Sequence, residues 1–395
     1  MKRVLYVIHY SVFGGPHNQA LRLAAPLRDR GWETIVLLPD QPGNAASRLR
    51  SGGVEVVTMP LHRVRAGKDP RLVGGLLAGI GPEVRAIRRV IRDRSVDLVQ
   101  VGGLVNPHVA IAARFERVPV VWQLLDTRAP LPLAMVSMIF VRGLADVVMS
   151  TGRSVALFHP GGKKLESRLV PYFPPVDVSL FRPRPEDREA ARASWGIGLD
   201  SPVVGCVANV NPQKGMVDLI HAFVQVRSRF PDARLVLVGA EYATHARYSA
   251  DVRAAIAAGS LREGEDVVFA GERADVERQL AGFDVFAFAP VPRGEGISTS
   301  VLEAMAAGLP VVTTAVAGLP EAIEDGVNGR VVPPRDASAF AGAIVALLDD
   351  PVAAKQMGDT ARISAVERFS VEACVASHVE AYELALGGRR RTVHR

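Results

Sequence analysis

The chain has 395 residues, more than one hydrophobic core usually serves, so two domains of about 180 to 200 residues are expected. Its 48% apolar and 22% charged residues exclude a disordered chain, a collagen-like repeat and a disulfide scaffold. The net charge of +6 hides an asymmetry: residues 1–180 carry 24 Lys+Arg against 13 Asp+Glu, a net +11, and the remainder carries 23 against 28, a net −5.

The opening Met1-Lys2-Arg3 runs straight into Val4-Leu5-Tyr6-Val7-Ile8, which reads as a first strand and not as a signal peptide. Further strands are expected at 34–38, 54–59, 98–101, 118–124 and 146–150, the first covering 4–9. Several are apolar throughout, as suits strands buried on both faces of a parallel sheet. Ala20, Leu21, Ala24 and Leu27 fall at helical spacing, and Gly31 closes that helix as a left-handed cap. Basic residues gather at Arg63, Arg65, Lys68 and Arg71, and again at Arg85, Arg88, Arg89, Arg92 and Arg94. They read either as solvated helix faces or as a surface for anionic headgroups or an anionic substrate. No aromatics interleave them, so nucleic acid is not an expected partner. The run 131–141, apolar and flanked by Arg128 and Arg142, reads as a buried helix of the first core or as a docking face on an inner leaflet.

A Pro-rich stretch over 172–185 interrupts the pattern, and the domain boundary is placed there, giving 1–181 and 182–370. The alternation restarts with strands at 203–210, 235–238, 267–270, 285–289 and 310–314. Helices are expected between and after them at 216–230, 249–258, 301–307 and 337–348. A last helix covers 371–388, and a basic tail 389–395 follows. Strand–helix alternation predicts an α/β protein with two Rossmann-like, doubly wound domains facing a central cleft, ligands lying beyond the carboxyl ends of the strands. Cys206 and Cys374 are too few for a disulfide framework or a four-ligand zinc site, and a reducing cytoplasm is the expected compartment. No apolar run of about 18 residues predicts a membrane span.

The familiar phosphate-loop, dinucleotide, nucleophile-elbow and zinc-protease motifs are absent, as is an Asp-x-Asp pair for a metal. Three strand-to-helix turns suit anions instead. Gly14-Gly15-Pro16 follows the first strand and opens a helix whose N-terminus offers amides to a phosphate, or is simply a turn. The segment 209–215, Asn-Val-Asn-Pro-Gln-Lys-Gly, places Lys214 where it neutralises a diphosphate or sits as a surface lysine. The block 294–312 carries Glu295 on its loop and Glu303 in the first turn of the next helix, eight residues on. Two carboxylates so spaced address two parts of one long, hydroxyl-rich ligand, and the amides of Ser300 and Val301 meet a phosphate at the same helix start. Alternatively Ser300-x-x-Glu303 is a capping box, and Glu303 only caps.

The run EGISTSVLEAMAAGLPVVTTAVAGLPEAIEDGVNG, with its E-x7-E pair, resembles the retaining GT-B glycosyltransferases of family GT4. Supporting pieces come in order: the GG turn, PVDVSLFRP at 175–183, PQKG at 212–215, RLVLVG at 234–239, AGERADV at 270–276 and FSVE at 369–372. The resemblance implies that the second domain binds the nucleotide-sugar and that the last helix crosses back to the first. It implies that Glu303 binds ribose hydroxyls and that Glu295, with the amides of Gly296, Ile297 and Ser298, holds the donor sugar. Lys214 would neutralise the diphosphate, the Gly15 amide would close on it, and Arg273 would sit where the base is read. Two positions depart from the family: Asn209 stands where an arginine is usual, and Leu125-Asp126 where a His-Asp pair is common. His108 or His9 is then the substitute on the acceptor side, beside Asp126, or each is a satisfied structural histidine.

The expected activity is that of a retaining, metal-independent hexosyltransferase without a cofactor, moving a sugar from a UDP- or GDP-linked donor to a sugar, lipid-linked or metabolite acceptor. Cell-surface polysaccharide, glycolipid or glycosylated metabolite synthesis is the expected setting, in the cytoplasm or peripheral on the inner membrane face. An epimerase or phosphorylase of the same fold, or a nucleotide-sugar binder without turnover, is the alternative.

Overall fold

The structure, a computed structural model, describes residues 1–61, 70–293 and 295–392, and of 70–79 and 389–392 the backbone alone. Arg63, Arg65, Lys68 and Gly294 thus lie outside the described residues, and Arg71 is described in its backbone only.

The chain divides into two compact units, Met1–Pro175 with the segment from Val371 onward, and Val176–Ser370. The boundary falls at Pro175/Val176 and not at 181/182. The Val176 amide donates to Phe369 O at 2.8 Å and Val176 bridges Ser370, so the Pro-rich stretch from Val176 belongs to the second unit.

The first unit holds seven strands: β1 (Lys2–Val7), β2 (Trp32–Pro39), β3 (Glu55–Met59), β4 (Leu98–Gly102), β5 (Val120–Leu124), β6 (Val147–Thr151) and β7 (Leu169–Tyr172). They pair in parallel in the order β3-β2-β1-β4-β5-β6-β7. The second unit holds six: β8 (Val203–Val207), β9 (Arg234–Val238), β10 (Val267–Gly271), β11 (Val285–Phe288), β12 (Val311–Thr314) and β13 (Arg330–Val332), ordered β10-β9-β8-β11-β12-β13. All are again parallel. In each sheet the strand order reverses between the first and fourth strands of the unit. That is where open α/β sheets bind ligands.

Two edge strands escape the sequence pattern. β7 contains Pro171, which an edge position tolerates, and β13 has only three residues. The helix Pro351–Arg368 escapes it too, because its buried face is Ala354, Gly358, Ala361 and Ala365. Small residues let it lie close, and a Cβ at Gly358 would meet Gly308 O at 2.2 Å. The last helix runs Val371–Thr392, so its backbone continues four residues into what the sequence suggests is a basic tail.

That last helix buries Cys374, Val375, Ala381, Tyr382 and Ala385 in the first unit's core, against Leu23, Leu27 and Trp32. A buried polar chain accompanies the apolar contact. The Tyr382 hydroxyl donates to Gln100 Oε1 at 2.5 Å, and Gln100 Nε2 donates to Gln123 Oε1 at 3.1 Å. Gln123 Nε2 donates to the Tyr172 hydroxyl at 2.7 Å, which donates to Gln19 Oε1 at 3.3 Å. Gln19 Nε2 lies 2.9 Å from His378 Nε2.

Burial lowers the pKa of His378 to about 4, and that of His17 likewise to about 4. The folded state therefore binds fewer protons than the unfolded chain. The stability this contributes is present above the unfolded value of 6.5 and is lost as pH falls toward 4. Between pH 7 and 5 each histidine should lose about 2 kcal/mol. Urea unfolding at the two pH values checks this, and His378→Asn should reduce the difference. An unchanged pH dependence in that variant would remove His378 from the account.

Candidate active site

The site is built at the switch point of the second unit, where β8 and β11 are neighbours. The chain leaving β8 makes a short turn, Pro212–Lys214, before the helix Met216–Arg229. Asn211 Oδ1 accepts from the Gln213 amide at 3.1 Å and shapes that turn. Gly215 then adopts φ +65°, and a Cβ there would stand 1.7 Å from Ala289 O, so only glycine lets the two loops touch. The loop leaving β11 is pinned at three points. The Val291 amide donates to Gln213 O at 3.1 Å. Thr313 Oγ1 donates to Phe288 O at 2.8 Å and Thr314 Oγ1 to Pro290 O at 2.7 Å.

These constraints bring Lys214 Nζ to 2.7 Å from Glu295 Oε1, with the carboxylate side chain 8% exposed and the lysine 19%. Lys214 Nζ also lies 5.3 Å from the Phe288 ring centroid. Beneath them Cys206 is fully buried, and burial pushes its thiol up to about 12 although the Lys214 charge acts against the shift. It is inert at neutral pH. Gly296, Ile297 and Ser298, which follow Glu295 in the chain, are buried.

The helix Thr299–Ala306 has Ser298 as its N-cap residue, and the Leu302 amide donates to Ser298 O at 3.4 Å. Ser300 and Val301 are its second and third residues, so their amides precede the first intrahelical bond. Ser300 does not cap the helix; its hydroxyl lies 3.0 Å from that of Ser298. Glu303 stands in the second turn, past the capping-box position held by Val301. Both details correct the expectation of a first-turn glutamate capped against Ser300.

The remaining predicted residues stand on other elements. Asn209 is exposed, and its Oδ1 accepts from the Ala240 amide at 3.0 Å, tying the ends of β8 and β9. Arg273 forms a two-point ion pair with Asp275, Nε to Oδ1 at 3.0 Å and an Nη to Oδ2 at 3.1 Å. The pair raises the arginine pKa and lowers that of Asp275.

Gly15, His108 and Asp126 belong to the first unit. Gly15 is exposed, and a Cβ there would meet nothing within 4 Å. Its turn is held by His17, a residue the motif reading passed over. The Gly14 amide donates to His17 Nδ1 at 3.2 Å, and His17 Nε2 donates to Tyr10 O at 3.0 Å. His108 is buried, with Nε2 at 3.3 Å from His9 Nε2 and 3.5 Å from Glu83 Oε2. His9 follows β1 and His108 opens the helix after β4, the two strands at this unit's own switch point. Asp126 accepts the Arg128 amide on Oδ1 at 2.9 Å, and its carbonyl lies 3.0 Å from Nε2 of the buried His159. Glu83 and His159 had no sequence signal, being brought in from distant elements.

Among the described residues no group of three or more His, Cys, Asp or Glu is placed to hold a metal ion. The cationic and amide groups around Lys214, Ser300 and Val301 suit a diphosphate, and the carboxylates suit hydroxyls.

Two parallel α/β sheets in one chain, each with its turns at the switch point, define a GT-B glycosyltransferase fold. Anabaena HepE in complex with UDP superposes with a TM-score of 0.81 at 24% identity, covering 97% of this chain and all of that one. Sucrose-phosphate synthase from Thermosynechococcus elongatus gives 0.76 at 19% identity, covering 98% and 100%. The family model described as Glycosyl transferases group 1 matches residues 201–350, and the Glycosyl transferase 4-like domain matches 14–159. The chain belongs to the group 1 (GT4) glycosyltransferase family. A GDP-mannose-dependent alpha-(1-6)-phosphatidylinositol monomannoside mannosyltransferase of Mycolicibacterium smegmatis is 34% identical over 256 residues, 60% of this chain and 62% of that protein. The corresponding monoacylated-substrate enzyme of Corynebacterium glutamicum is 34% identical over 205 residues, 50% of this chain and 51% of its own length. The alignments thus span between half and two thirds of these relatives.

Proposed function

We propose that this protein transfers a sugar, with retention of anomeric configuration, from a nucleoside-diphosphate sugar to a hydroxyl of a lipid-linked acceptor. The observation that carries the reading is the buried Lys214–Glu295 pair at 2.7 Å beside the N-terminus of Thr299–Ala306. GDP-mannose is the proposed donor, supported by the names of the mannosyltransferases to which the chain is similar.

In this reading the diphosphate lies against the amides of Ser300 and Val301 and takes the charge of Lys214. Glu303 accepts from the ribose hydroxyls, and Glu295 from the sugar. As the bond between the anomeric carbon and the phosphate oxygen breaks, the acceptor oxygen bonds to that carbon on the same face. The acceptor proton passes to the departing phosphate oxygen. Positive charge on the leaving group lowers the barrier. Asn209 supplies hydrogen-bonding structure at the position where an arginine is usual in the family, so the leaving group relies the more on Lys214. A lipid-linked acceptor would bring the protein to a membrane surface.

The test is transfer of labelled mannose from GDP-mannose to phosphatidylinositol mannoside in detergent, with the product anomer read by NMR. Release of free mannose alone, or inverted product, would overturn the reading. Activity should survive EDTA within about twofold, because the phosphate charge is met by a side chain and amides. Loss on chelation that magnesium or manganese restores would assign that role to a metal.

A further inference from the structure

The helix Leu131–Leu144 is apolar on two faces. One, with Ala134, Met138 and Val141, is buried in the first unit. The other turns outward: Leu131 is 56% exposed, Met135 55%, Val136 55% and Ile139 59%. Leu131, Met135 and Ile139 follow each other at four-residue spacing, and Val136 flanks them, so they form one stripe along the helix. The reading of this run as a buried helix of the first core therefore holds for the face of Ala134, Met138 and Val141 and not for this one.

Cations stand at both ends of the stripe. Arg128 is exposed just before the helix. At the other end Arg168 donates to the carbonyls of Arg142 and Ala145, which ties the segment Gly162–Arg168 to the helix terminus. That segment presents Lys163 and Lys164 to solvent, while its Glu166 pairs with Arg153 at 3.0 Å. Next to it Phe158 is 49% exposed. Residues 127–145 contain no Asp or Glu. The arginine cluster is partly spent inside the unit. Arg88 and Arg92 pair with Glu116, and Arg94 with Glu55.

An apolar stripe itself without acids, with Arg128 beyond Asp126 at one end and Lys163 and Lys164 beside the paired Glu166 at the other, matches the boundary of a bilayer with anionic headgroups. The helix has 14 residues, short of the roughly 20 that a span needs, so it would lie in the interface plane. Among the described residues no single helix is long and apolar enough to cross a membrane. We infer that the outward face of Leu131–Leu144, with Arg128, Lys163 and Lys164 at its ends, is where the first unit docks on an anionic bilayer surface. The inference takes its purpose from the lipid-acceptor reading, but its test needs neither donor nor acceptor.

The full chain is floated with vesicles of phosphatidylcholine alone and of phosphatidylcholine with phosphatidylglycerol. It should float with the anionic vesicles and much less with the neutral ones, and salt should weaken the binding. Met135→Ser with Ile139→Ser should reduce the bound fraction about tenfold while leaving the melting temperature unchanged, since both side chains are exposed. Lys163→Glu with Lys164→Glu should weaken binding to anionic vesicles only. Equal flotation of the parent and the serine variant, or no flotation of the parent, overturns the inference. So does a concentration-dependent dimer that Ile139→Ser dissolves, which would give the face to a second copy. Transfer in detergent separates the two readings: transfer without flotation overturns docking alone, and flotation without transfer overturns the acceptor alone.

Discussion

Lys214→Ala is expected to slow turnover by about 10²- to 10³-fold and to lower stability by about 3 kcal/mol. The two losses have different origins. Turnover falls because the departing diphosphate loses its facing cation. Stability falls because the Glu295 carboxylate, 8% exposed, loses the ammonium at 2.7 Å. Combining Lys214→Ala with Glu295→Gln should recover much of the stability, since no charge is then left buried, and none of the turnover. Glu295→Ala alone should mainly cost turnover, the nucleotide being held elsewhere. Urea unfolding and donor-saturated rates separate these effects. A Lys214→Ala variant as stable as the parent would mean that water screens the pair.

Glu303→Ala is expected to weaken nucleotide binding by about 10- to 150-fold, the worth of one charge-assisted hydrogen bond to a ribose hydroxyl. The structure makes this a cleaner test than the sequence allowed. A capping glutamate would cost helix stability when removed, but the N-cap here is Ser298 and the capping-box position is Val301. The cost of a lost helix cap is therefore not expected in the melting temperature of Glu303→Ala. Calorimetric titration with GDP and with UDP reads the affinity. Unchanged affinity for both would remove Glu303 from the nucleotide site.

Much of this was legible in the chain itself. Runs such as those of β1 and β8 are apolar at every position because both faces of a parallel strand are covered, and that signal is local. The two-fold repetition of strand–helix alternation and the Pro-rich break set the unit count, with the boundary displaced only because Val176 pairs with the chain near Phe369. The E-x7-E block and PQKG stood out by their resemblance to family motifs at strand-to-helix turns, since the residues alone also allowed a helix cap and a surface lysine. The helix Pro351–Arg368 did not stand out, since a seam of alanine and glycine carries little hydrophobic period.

Three features were decided by tertiary structure alone. The contact of Lys214 with Glu295 spans two loops that meet only because β8 and β11 are neighbours, an order no local pattern encodes. His9, His108 and Glu83 converge for the same reason at the first sheet's switch point. Within residues 131–144 the sequence determined an apolar helix, but both its faces are apolar. Which one the core took depended on the neighbouring helix Pro107–Phe115 and the segment Gly162–Arg168, and burial there left Met135 and Ile139 outside. Residue type sets what a side chain prefers locally. Long-range strand order and packing determine which of those preferences are met by the protein's own core and which are left for a ligand or a surface.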